Sequence, residues 1–135
     1  MASRQPGSEA PPDVVLLAAA WRPRALIRAQ LIEEGFTVVA TDTWPVMRRH
    51  LRPGIKPRLV VVDLQDLPEP GSILNDIGLL MKPDRVLVLF AIGTVPLTDV
   101  LHMGFRALSR PIGIDRIARA AADMIRSSST VEHRR

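Results

Sequence analysis

An open parallel α/β sheet with helices on both faces is the fold this sequence predicts, and three features predict it. Residues 14–19, 59–62 and 86–91 are short, continuous apolar runs, the pattern of strands buried on both faces. Each is followed by a stretch whose apolar residues recur at helical spacing. Gly and Pro separate the two kinds of segment, so the pattern changes at defined points. Alternation of this kind gives a parallel sheet with right-handed crossovers.

The run at 14–19 is the first strand. Pro23 suits the first turn of the helix after it, Leu26, Ile27, Leu31 and Ile32 give that helix an apolar face, and Gly35 stops it. Residues 36–40 are rich in β-branched side chains and form the second strand. Pro45 opens a short helix that Pro53-Gly54 ends. Residues 59–62 are the third strand and the most hydrophobic segment of the chain. Ser72 is placed to cap a helix carrying Ile73, Ile77, Leu80 and Met81, which Pro83 terminates. After the fourth strand at 86–91, Thr94 and Pro96 start a helix with Leu97, Val100 and Leu101 inward and Gly104 as its C-terminal cap. Residues 105–109 are a brief fifth strand. Beyond Arg110-Pro111, the residues Ile114, Ile117, Ala118, Ala121 and Ile125 form the cleanest amphipathic stripe in the chain. Five such units give the flavodoxin-like strand order 2-1-3-4-5, with sites at the C-terminal ends of the strands. The domain is expected over residues 13–126, between disordered tails at 1–12 and 127–135.

The totals narrow the function classes. At 135 residues the chain fits one domain whose core needs no disulfide or metal. The absence of Cys excludes disulfides, thiolate metal sites and a cysteine nucleophile, and it fits a reducing cytoplasm. The longest N-terminal apolar run, 14–21, is far short of the roughly 20 residues needed to span a bilayer. Residues 1–12 are polar and proline-bearing, unlike a secretory signal, so a soluble cytoplasmic protein without membrane contact is expected. Net charge is +4, and Lys56 and Lys82 are the only lysines among 18 basic residues. Such an Arg-heavy set marks nucleic-acid binding in some proteins; it also follows from the codon bias of a GC-rich genome.

The third strand, Leu59-Val60-Val61-Val62-Asp63, ends in a carboxylate just before a loop holding Pro68, Pro70 and Gly71. That is where open α/β sheets place their sites. Three further segments matter: Leu31-Ile32-Glu33-Glu34-Gly35-Phe36, Val86-Leu87-Val88-Leu89-Phe90-Ala91 and Leu108-Ser109-Arg110-Pro111-Ile112. In order and spacing these four pieces resemble the receiver domain of bacterial two-component response regulators across residues 13 to 126. The resemblance implies that Asp63 stands at the phospho-accepting position and that the Arg110-Pro111 bond is cis. It also implies a departure wherever the family keeps its chemistry. The acidic pair that holds Mg²⁺ falls on Ala18 and Ala19, the Thr or Ser of the fourth strand on Phe90, the Lys on Arg110 and the aromatic switch residue on Ala107.

Phosphorylating a carboxylate needs Mg²⁺ to neutralise the incoming phosphoryl group, and Mg²⁺ needs oxygen ligands in near-octahedral geometry. Ala18 and Ala19 offer methyl groups. Asp66 and Asp42 are the substitute ligands within reach of consideration, one on the loop and one beyond the second strand. Phe90 is expected to fill the space of a phosphoryl oxygen, and Thr94 is more simply a helix cap than a replacement hydroxyl. Arg110 is expected to pair with Asp63 and occupy the site; the bland alternative is an exposed Arg and an Asp that only ends a strand.

Other chemistries find little support. His50, His102 and His133 have no ligand spacing. Ser72 and Ser109 lack a His-acid set. Ala20-Trp21-Arg22-Pro23 stands where a phosphate loop would need glycines. Arg24, Arg28, Arg116, Arg119 and Arg126 are expected on one face shared by the first and last helices, with Asp115–Arg119 and Arg119–Asp123 as i,i+4 pairs. Arg48, Arg49, His50 and Arg52 form a denser basic cluster. The resulting expectation is a stand-alone, degenerate (pseudo-receiver) signalling module, not an enzyme and without a cofactor, that acts in trans by binding a protein. The partner class is a histidine kinase, an output protein or a second copy in a homodimer, met through Arg106, Ala107, Arg116 and Arg119. The alternatives are a phospho-accepting receiver using Asp63 and Mg²⁺ in a phosphorelay, and a basic nucleic-acid-associated module.

Overall fold

The computed structural model describes residues 10–133, with side chains described to residue 127. Its elements run β1 (Val14–Leu17), α1 (Trp21–Glu33), β2 (Val38–Thr41), α2 (Trp44–Arg48), β3 (Leu59–Asp63), α3 (Pro70–Leu80), β4 (Val86–Phe90), α4 (Leu97–His102), β5 (Arg106–Ser109) and α5 (Ile114–His133). The five strands are all parallel in the order β2-β1-β3-β4-β5, as the alternating pattern predicts. Asp13 clips the lower edge of the sheet. Its carboxylate accepts from the Thr37 backbone N–H at 2.9 Å, and its carbonyl accepts from the N–H groups of Arg58 and Leu59, both at 3.0 Å.

Because side chains alternate along a strand, each central strand feeds two cores. Val15, Leu17, Val60, Val62, Val86 and Val88 pack against Met47, Ile73, Leu74, Ile77 and Val100, on the side of α2, α3 and α4. Val14, Leu16, Leu59, Val61, Leu87 and Leu89 pack against Ile27, Leu31, Ile117, Ala118, Ala121 and Ile125, on the side of α1 and α5. Burial on both faces explains why these strands are uninterrupted apolar runs.

Several local expectations are corrected. On α1 only Ile27 and Leu31 are buried, while Leu26 and Ile32 are exposed. At about 100° per residue, the two inner positions one turn apart leave their neighbours on the shoulders of the helix. Leu101 is exposed beside buried Val100 for the same reason. Ser72 does not cap α3: the helix starts at Pro70, with Glu69 as the N-cap residue, because the fixed φ of proline is already that of the first turn. α2 ends at Arg48, short of Pro53. α5 runs to His133, past the domain end expected at 126. Ser and Thr cost only a few tenths of a kcal/mol each once a helix is nucleated, so a long packed helix propagates through them. The tail residues 1–9 and 134–135 lie outside the described residues. No helix among the described residues is long and apolar enough to cross a membrane.

Candidate functional site

β3 carries Asp63 to the C-terminal edge of the sheet, beside Leu89 of β4. The residue is 1% exposed, one of two buried polar residues among the described residues. A carboxylate this deep needs partners, and it has three bonds. Oδ1 accepts from the Gln65 backbone N–H at 3.1 Å and from Arg110 Nε at 3.2 Å. Oδ2 accepts from Arg110 Nη2 in a close ion pair. The guanidinium therefore takes both oxygens side by side, the bidentate arrangement that a planar fork allows and a lysine ammonium does not.

Arg110 reaches Asp63 from two strands away, a span of about 10 Å at the usual strand spacing. Its own backbone is fixed by a 3.0 Å bond from its N–H to the Phe90 carbonyl and by the cis peptide to Pro111. The cis bond and the Asp63–Arg110 pair are both as the sequence reading anticipated.

The neighbouring position on β1 holds a second cation. Register pairs Leu17 with Val62, so the chain beyond Leu17 runs beside Asp63. There Arg24 Nη1 donates to the carbonyls of Ala18 at 2.9 Å and Ala19 at 3.2 Å. Ala18 is fully buried. These residues do not fit Mg²⁺: two methyl groups replace carboxylates, one guanidinium covers the strand-end carbonyls and another covers the remaining carboxylate. Asp66 lines the hollow beside Arg110 and Asp42 a separate cleft with Trp44, so the two do not converge on Asp63 as a pair. Among the described residues no group of three or more His, Cys, Asp or Glu could hold a metal ion.

Phe90 departs from expectation. Its half-buried ring packs on the core beneath α2, α3 and α4, and it does not line the hollow beside Arg110. Alternation explains this, since Val86, Val88 and Phe90 share one face of β4. Thr94 does line the hollow, but its hydroxyl donates to the Ala91 carbonyl. It is not the cap of α4, which begins at Leu97 after Pro96. Of the other expected residues, Arg106, Arg116 and Arg119 are exposed, while Ala107 is half-buried against the core. Arg119 turns to Asp115 at 3.9 Å. Arg48, the last residue of α2, and Arg49 and Arg52 on the loop after it are exposed, with Arg52 Nε donating to the Arg49 carbonyl.

No family model matches the sequence, and no curated protein sequence does either. Solved structures do match. The chain has the receiver fold. It superposes on the signal receiver domain of a Luxo repressor protein from Vibrio parahaemolyticus with a TM-score of 0.72 and 22% identity, over 90% of this chain and 95% of that one. A response regulator receiver domain from Clostridium thermocellum gives 0.67 and 17% identity, over 87% and 97%. A chain from an adenylate cyclase of Rhodopirellula baltica gives 0.70 and 16% identity, over 90% and 92%. Likeness at these identities establishes the receiver fold and its strand order.

Arg24, like Phe90, lies elsewhere than expected. It was assigned to the outer face with Arg28, but it folds back onto the strand end. A signal for this exists in the sequence. A cation in the first turn of a helix opposes the helix dipole, and Ala20 supplies no capping oxygen. An arginine kept at such a position needs another partner.

Proposed function

We propose that this chain is a receiver-fold signalling module that works without phosphorylation and acts by binding a protein partner. The observation that carries the reading is the state of Asp63: buried, with both carboxylate oxygens engaged by Arg110. An attacking carboxylate must present a free oxygen in line with the phosphoryl donor. Here the nucleophile is paired internally, and the ligands that would bring Mg²⁺ are absent from its side. The surface beside α4, β5 and α5, with exposed Arg106, Arg116, Arg119 and Leu101, supports the partner role. A histidine kinase or an output protein is the partner class proposed, and binding rather than catalysis is the activity.

Incubation with Mg²⁺ and acetyl phosphate, followed by intact-mass measurement, tests the reading. No added mass is expected on the protein as it stands. A stoichiometric gain of one phosphoryl group that disappears in Asp63→Asn would refute it and favour the phosphorelay alternative.

A further inference from the structure

Away from Asp63, a cleft of about 460 Å³ opens between the start of α2 and the loop that leads into α3. Its floor is Leu67 and Ile73, both buried. Trp44 forms one wall, half-buried and anchored on the core, and Pro68 forms another. Among the described residues, the only charged ones lining it are Asp42 and Glu69. Neither carboxylate has a hydrogen bond or ion pair among the described residues. In a chain of net charge +4, this is an acidic hollow with an aromatic wall. Of the other hollows, one is lined by Lys56, Lys82 and Arg85, the one beside Asp63 by both Asp66 and Arg110, and a third by Asp99 and His102 without an aromatic wall.

We infer that this cleft binds an organic cation, a guanidinium or primary ammonium carried on an apolar stem. A ring face attracts a cation, and two carboxylates at the rim supply charge-assisted acceptors. The stem lies on Leu67, Ile73 and Pro68, in a volume within the range of small-ligand sites. The N-terminus of α3 also points here, and it opposes a cation with about half a positive charge, against two full negative charges. The carboxylates prevail. Glu69 holds a left-handed φ of 50°, which costs a non-glycine residue, and its carboxylate has no hydrogen bond or ion pair among the described residues. The inference stands independently of the reading of Asp63.

The test uses the full chain carrying Trp21→Phe, which removes an exposed indole (71%) and leaves Trp44 as the only tryptophan. The probes are agmatine, an acetylated pentapeptide with a central arginine, and uncharged N-butylurea. Agmatine is expected to change Trp44 emission saturably and to shift the backbone amide resonances of residues 42–46 and 67–73. The double variant Asp42→Asn/Glu69→Gln is expected to bind about tenfold more weakly or worse, with its urea midpoint unchanged. Binding of agmatine assigns the site to a free ligand; binding of the peptide alone assigns the same chemistry to a partner's arginine. The inference is overturned if neither probe gives a saturable response in either measurement up to about 20 mM. An equal response to N-butylurea, or binding that survives the double variant, overturns it as well.

Discussion

Replacing Arg110 by Met keeps most of the aliphatic stem and removes the guanidinium from Asp63. The carboxylate then retains one of its three bonds, the one from the Gln65 N–H. Breaking a fully buried pair from one side costs about 3–5 kcal/mol. The Arg110 side chain is 24% exposed and lines an open hollow, so the pair is not fully buried and a lower figure of about 2–3 kcal/mol is expected. That is a large share of a total stability of about 5–15 kcal/mol. Asp63→Asn and the double variant complete a cycle, and urea unfolding followed by far-UV circular dichroism gives each free energy. A coupling energy of about 1.5–3 kcal/mol is expected, the range of hydrogen bonds to charged groups. Exposed pairs give about 0.2–1 kcal/mol. A coupling below about 0.5 kcal/mol, with unchanged m-values, would mean that Arg110 does not hold Asp63 in solution, and the main support for a sealed site would be lost.

Gly104→Ala is expected to destabilise the fold by about 1–3 kcal/mol, because φ is +84° there and a Cβ would sit 3.0 Å from Pro83 Cβ; thermal unfolding reads the loss. Ile117→Ala, at a 1% exposed position between sheet and α5, should cost about 2–5 kcal/mol in the same assay. Arg24→Met should cost about 1 kcal/mol through two lost bonds to the Ala18 and Ala19 carbonyls, measured by urea midpoint. Arg119→Ala should change the midpoint by less than about 0.5 kcal/mol, since its pair with Asp115 is solvent-exposed on both sides.

Much of the architecture was legible in the sequence because burial on both faces of a strand removes polar residues from it. Val60, Val61 and Val62 announce a central strand without any knowledge of their neighbours. The strand order 2-1-3-4-5 is the flavodoxin-like one expected of five βα units, and the sheet has it. Asp63 was legible for the converse reason, as the one charge at the end of such a run, and Arg110 through the resemblance of Arg110-Pro111 to the receiver segment that carries Lys-Pro. What escaped was side-chain direction. Phe90 and Asp63 both end strands, yet alternation sends the ring into the core of α3 and α4. Leu26, Ile32 and Leu101 fit an apolar pattern but sit a third of a turn off the buried line. Arg24 bends back over its own helix start, a contact that no periodicity encodes. The end of α5 was hidden because serine and threonine are weak evidence either way once a helix already exists.

The two guanidinium groups at the sheet edge have a consequence for how such a module could be controlled. Arginine stays charged throughout the physiological pH range, and neither Arg24 nor Arg110 can dissociate as a metal ion does. On the proposed reading, a site balanced by covalently attached cations is expected not to respond to chelators, to magnesium levels or to phosphate donors. On that reading Asp63 has no loaded and unloaded forms to toggle between, and one quantity that can still vary is how many copies of the chain a cell holds. Synthesis and turnover then set the output, and a destabilisation of 1–2 kcal/mol, enough to change abundance several-fold, becomes a change in signal strength.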